Sequence, residues 1–177
     1  MATEHSIESA LASLPELPIG WRYCALGDVV EPSRSIAYGI VQPGPDNPAG
    51  VPMIRVQDFR QGAVDLSSPL RVSPQIAARY SRTRLYGGEL LITLVGTVGI
   101  TAIAPADAEG ANVARAVGVV PVRSDIGALY VSYALRLPVL QDLIAAWCNT
   151  TVQATLNLKE LSRVPLPLPP QEERHAI

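Results

Sequence analysis

In the run VPMIRVQDF, residues 51–59, an apolar segment leads into Arg55, Gln57 and Asp58, three side chains able to read hydrogen-bond patterns. An arginine fork matches the O6/N7 edge of guanine, and a glutamine amide matches the N6/N7 edge of adenine. If MIRVQD is extended, Ile54 and Val56 share one face, and Arg55 and Gln57 the other. Side chains two apart on a strand stand roughly 6.6 Å apart, about two base-pair rises. A solvated strand face, with Arg55 paired to Asp58 or Asp65, accounts for the same residues.

Other positions suit the same chemistry. Arg34 and Ser35 can reach phosphates. In Tyr38-Gly39 a ring that stacks or packs adjoins a residue that admits close backbone approach. The run RYSRTRLY, residues 79–86, concentrates Arg79, Arg82 and Arg84, interleaved with Tyr80, Ser81 and Thr83; phosphate anchoring and a solvated helix end are its two readings. Asn149, Thr150, Thr151 and Gln153 offer amide and hydroxyl donors and acceptors, with helix capping as the alternative for the threonines. Lys159 and Asn157, in LNLKEL, can touch backbone phosphate or lock a final helix to the core. Asn112 reads as a shaper of the DAEGAN turn, and Arg115 as a strand residue in a structural ion pair.

Catalytic chemistry is poorly provided for. The only histidines, His5 and His175, lie in terminal segments, against a histidine base or a metal site with two imidazoles. There is no GxGxxG after a strand, and no GxxxxGKS, GxSxG or HExxH. DNPAG and PLPP do not supply the Asn/Asp-Pro-Pro-aromatic pocket of an adenine methyltransferase, and one lysine in NLKE is a poor match to a metal-dependent nuclease. No catalytic residue, cofactor or metal ligand is expected.

The 177 residues fit one domain; 48% are hydrophobic and 17% charged, which excludes a disordered chain. A net charge of −2 excludes a bulk polycation, so any contact with nucleic acid must be local. The charge is uneven: residues 1–31 carry −4, residues 32–104 carry +3 and residues 105–177 carry −1, and every basic residue of the middle window is arginine. Cys24 and Cys148, without a CxxC, fit free thiols in a reducing, cytoplasmic compartment. The N-terminus lacks the pattern of a signal peptide. LLITLVGTVGITAIAPA, from Leu90, is slightly short for a membrane span and rich in Val, Ile and Thr; it reads as two buried strands joined at GTVG.

The elements that must position these residues follow from the pattern. Residues 1–16 form a tail with a candidate helix over Glu8–Leu14. Residues 36–41 and 52–59 are strand candidates, and Ser73 or Pro74 opens a helix PQIAARYSR. ANVARAVGVVPVR reads as one strand. Leu129–Trp147 reads as helix, broken or kinked at Pro138; a short helix follows near Leu158, and PLPLPP must be extended. The fold class is α+β, a twisted and mostly antiparallel sheet with a few packed helices over residues 17–168, and residues 169–177 begin a last helix that the chain carries for about two turns.

LPIGW, LGDV, YGIVQPGPD, GVPMIRVQDF, YSRTRLYGGELLITLVGTVG, GANVARAV, LNLKEL and PLPLPPQEE, in this order over residues 17–177, give the chain its likeness to a family. It resembles the target recognition domain of type I restriction-modification specificity (S) subunits. The resemblance implies a non-catalytic domain that reads a few base pairs of double-stranded DNA, one of two in a usual subunit. It implies long conserved helices that dock methyltransferase (M) subunits, with a restriction (R) subunit added for cleavage. A single recognition domain and a helix ending at QEERHAI depart from that plan, and leave open a half-length subunit that self-associates, a truncated product or an excised domain. A protein-interaction or inactive remnant module with the same fold and no DNA reading is the alternative.

Overall fold

The computed structural model describes residues 10–149 and 152–174. Its first strand, β1 (Arg22–Ala25), pairs antiparallel with its last, β11 (Pro165–Leu168), with Arg22 opposite Leu168 and Cys24 opposite Leu166. Proline at alternate positions of PLPL puts the missing N–H groups on one side of the strand, which is tolerable because β11 pairs only with β1 among the described residues.

Four antiparallel strands, β2 (Ala37–Tyr38), β7 (Leu90–Thr93), β8 (Thr101–Ile103) and β10 (Val117–Val120), form the central sheet in the order β2-β10-β7-β8. Leu90 and Ile92 face one apolar cluster while Leu91 faces another. Burial on both faces explains why LLIT is continuously apolar rather than alternating. GTVG makes the expected bend into β8, with Gly96 at φ 80° and Gly99 at φ 88°, conformations that suit glycine. A second sheet holds β6 (Leu70–Val72), β3 (Val51–Ile54) and β9 (Asn112–Val113), with β3 and β9 parallel; β4 (Phe59–Arg60) and β5 (Ala63–Val64) form a hairpin. The architecture is α+β and mostly antiparallel as expected, with its strands divided among several sheets.

Ser73 caps α1 (Pro74–Arg79) by accepting from the Ile76 N–H at 3.3 Å. The long helix breaks at Leu137 into α2 (Ala128–Leu135) and α3 (Pro138–Trp147), because a proline at N1 forfeits only an N–H that has no intrahelical partner. These helices and α4 (Leu158–Arg163) cover one face of the central sheet, where Val131, Leu135, Ile144 and Leu161 join Leu90, Ile92 and Val120. The chain then enters α5 (Gln171–Arg174). The helix expected over Glu8–Leu14 lies partly outside the described residues, of which Ala10 and Leu11 are helical.

Two expectations fail. The strand expected over 52–59 stops at Ile54, because the Asp58 carboxylate accepts the Arg55 N–H at 2.7 Å and closes a 3-10 turn over Val56–Asp58. The single strand expected from ANVARAVGVVPVR divides into β9 and β10 in different sheets, separated by a turn at Arg115 and Ala116.

Candidate nucleic-acid interface

Backbone hydrogen bonds hold the Arg115 turn from three directions. The Arg115 N–H donates to the Ile40 carbonyl at 2.8 Å, Ala114 N–H to Ile54 at 2.8 Å, and Leu94 N–H to the Ala116 carbonyl at 2.8 Å. Strands of both sheets thus clamp the backbone of a residue whose side chain is exposed. Arg115 has no ion pair or side-chain hydrogen bond among the described residues.

Three adjoining hollows extend from this turn. The first runs from Arg115 to Asn149 and Gln153, the second from Arg115 past Thr155 and Asn157 to Tyr38 and Val41, and the third from Tyr38 to Arg79, Tyr80 and Arg82. They hold about 460, 480 and 260 Å³, so the surface offers a long groove, suited to an elongated ligand, rather than one enclosure. Among the described residues its lining contains three arginines and no carboxylate. A fourth hollow continues the rim past Arg34, Ser35 and Lys159, where Glu31 is the one acid.

The far end of the groove is held by a buried amide. Asn112, 2% exposed, donates from its amide nitrogen to the Tyr80 carbonyl at 3.1 Å and accepts from the Thr83 hydroxyl at 2.6 Å and the Val113 N–H at 2.9 Å. It thereby ties the turn carrying Arg79 and Arg82 to β9. Both arginines are exposed and unpaired among the described residues. The Tyr38 ring is exposed beside Gly39, where a Cβ would lie 1.8 Å from the Val113 carbonyl oxygen. The close approach that Gly39 permits is therefore to the protein's own β9.

Other expected residues are differently committed. Arg55 and Asp58 pair with each other, Nε 3.0 Å and Nη2 2.8 Å from the two carboxylate oxygens, and Asp58 is 7% exposed. That carboxylate holds the Arg55 guanidinium above its usual pKa, chiefly through the hydrogen bond. Gln57 is exposed but, one residue into the 3-10 turn, does not share a strand face with Arg55. None of these three lines the groove, nor does the exposed Arg84. Arg34 reaches Glu89 at 2.9 Å and lies 4.9 Å over the Tyr86 ring, so it braces the rim. Asn149 holds its loop closed through two 2.9 Å backbone bonds with Thr155, and the Gln153 amide lies over Gly96. Thr150 and Thr151 lie outside the described residues.

Sequence alone suggests a structural ion pair for Arg115, and the structure corrects this. Its small neighbours, Ala114 and Ala116, were the available signal: nothing beside the arginine shields it. Burial raises the pKa of the Cys24 and Cys148 thiols, leaving both as poor nucleophiles near neutrality. Among the described residues no cluster of three His, Cys, Asp or Glu could hold a metal ion, and no helix is long and apolar enough to cross a membrane.

Residues 18–177 match the family model for the type I restriction modification DNA specificity domain. The chain is 34% identical over 162 residues to the type I restriction enzyme EcoBI specificity subunit of Escherichia coli, covering 91% of this chain and 34% of that one. It thus spans about a third of the length of this curated relative. Among solved structures, the fold is similar to the HsdS subunit of Thermoanaerobacter tengcongensis (TM-score 0.64, 24% identity, 96% of this chain and 40% of that one). It is also similar to a chain from work on complex assembly and conformational transition of the type I R-M system (TM-score 0.68, 24% identity, 96% and 40% covered).

Proposed function

The chain belongs to the type I restriction modification DNA specificity domain family, and from that premise we propose that it reads a short double-stranded DNA sequence for a type I restriction-modification complex. The observation that carries this reading is the groove lined by Arg79, Arg82 and Arg115 without a carboxylate, on a chain whose net charge is −2. Local positive charge of this kind attracts a polyanion that the molecule as a whole repels.

Arg79 and Arg82, at one end, contact phosphates and set the register. Asn149 and Gln153, at the other, meet base edges with amides. Tyr38 and Val41 supply apolar contact between them, and Ser35 and Lys159 extend the contact along the rim that Arg34 braces through Glu89. Arg55, Gln57, Asp58 and Arg84 act outside the groove. Adenine methylation and cleavage belong to methyltransferase and restriction subunits, this chain contributing specificity in the cytoplasm without a cofactor of its own. Self-association of two such domains completes a bipartite reader.

One observation favours a second reading, a protein-interaction module. Leu129, Tyr133 and Leu137, four residues apart, are 54%, 56% and 42% exposed, an apolar stripe on and just past α2 that does not line the groove. Selection from a pool of random duplexes, with and without a methyltransferase subunit, tests the primary reading. Enrichment of one short sequence is expected, and the absence of any enrichment in both conditions overturns it.

A further inference from the structure

Resting on the DNA-reading proposal, we infer that Arg115 is the specificity-determining arginine of the groove, addressing the O6/N7 edge of one guanine, while Arg79 and Arg82 bind without regard to sequence. Three observations separate it from the other arginines. First, it is central: the hollow reaching Asn149 and Gln153 and the hollow reaching Tyr38 share Arg115, whereas Arg79 and Arg82 line only the end hollow. A duplex lying along the groove presents base edges to the middle and its backbones to the ends.

Second, its base is fixed while its head has no partner among the described residues. The three 2.8 Å backbone bonds around Ala114, Arg115 and Ala116 tie the turn to Ile54, Ile40 and Leu94. Arg34, Arg123 and Arg136, by contrast, spend their guanidinium groups on Glu89, Asp125 and Thr101. A donor fork on a rigid base, with nothing to release before contact, satisfies the geometry that bidentate recognition requires. Third, the polar groups beside it are uncharged: Asn157 and Thr155, with the apolar Val95, line both hollows that Arg115 joins. Phosphate sites collect cations and backbone N–H groups, whereas base edges are met by amides, hydroxyls and the arginine fork.

The test uses the full chain, the duplex selected from the random pool, and single-pair variants of that duplex. The native chain should bind roughly 5- to 150-fold more weakly when one particular G·C pair is replaced, the range expected for one bidentate contact. Arg115→Ala should lose discrimination at that pair only, keeping preference elsewhere. Arg115→Lys keeps the charge without the fork, and should retain the native salt dependence while also losing the guanine preference. Unaltered preference of Arg115→Ala at every pair overturns the assignment. So does uniform weakening on all duplexes with a salt slope reduced by about 0.9, the mark of a phosphate contact. If the native chain enriches no sequence, DNA reading itself fails; if it does and the variants match it, only the role of Arg115 fails. A thermal unfolding curve for each variant accompanies the binding data, and Arg115→Lys carries the test if the alanine variant does not fold.

Discussion

The Thr83 hydroxyl donates to the Asn112 Oδ1 at 2.6 Å in the protein interior, 29 residues away in sequence, and this contact joins the arginine-bearing turn to β9. Asn112 satisfies three partners at once, so its removal takes one hydrogen bond each from the Tyr80 carbonyl, the Thr83 hydroxyl and the Val113 N–H in a buried site, although Thr83 still bonds the Tyr80 carbonyl. Asn112→Ala should cost about 1–3 kcal/mol of stability. Urea unfolding measures this, and a midpoint equal to the native one would contradict the role.

Arg79 and Arg82 should govern how binding depends on salt. Removing one arginine–phosphate interaction lowers the slope of log affinity against log salt by about 0.9. The double variant Arg79→Ala/Arg82→Ala should therefore flatten the slope by about 2 and weaken all duplexes alike. A native slope removes these residues from the interface.

Arg55→Ala should lower stability and leave base preference unchanged. The substitution leaves the 7%-exposed Asp58 carboxylate without its guanidinium partner, at a cost of about 1–3 kcal/mol. Chemical denaturation and a competition assay on variant duplexes give the two readouts. A shifted preference would return Arg55 to the interface.

How far such roles are legible in the sequence depends on whether the decisive contact is local. The β7–β8 pair was readable because an apolar run interrupted by two glycines permits little else, and α1 because a serine before proline is a strong start. MIRVQD misled because the Asp58 cap leaves the apolar alternation intact while bending the backbone. ANVARAV misled because its two halves find different sheets, a choice made by distant partners. The groove draws on residues 36–41, 79–83, 94–95, 115–116, 149 and 152–158, so its arginines are visible singly in the sequence and their grouping is not.

Gly39→Ala should prevent normal packing of β2 on β9. The added carbon would lie 1.8 Å from the Val113 carbonyl oxygen and 2.6 Å from its Cγ2, so the backbone must move. Overpacking of this kind costs about 1–3 kcal/mol or more. A thermal midpoint indistinguishable from the native one would contradict the contact.

Tyr130 should titrate well above an ordinary phenol. Burial, reinforced by the nearby Cys24, pushes its pKa from 10.0 up to about 12, and its hydroxyl donates to the Pro167 carbonyl. Because the folded value is the raised one, the contribution to stability is complete below pH 10 and is lost as pH rises toward about 12. Ultraviolet absorbance titration should show a phenol ionising near this value, and Tyr130→Phe should remove that component.

Arg22 opposite Leu168 means that the polypeptide leaves the domain beside the point where it enters. A longer protein carrying this unit can exchange it for another at two adjacent splice points without displacing what flanks them. Under the DNA-reading proposal, such an exchange swaps one target preference for another like an interchangeable cartridge and leaves the flanking chain untouched.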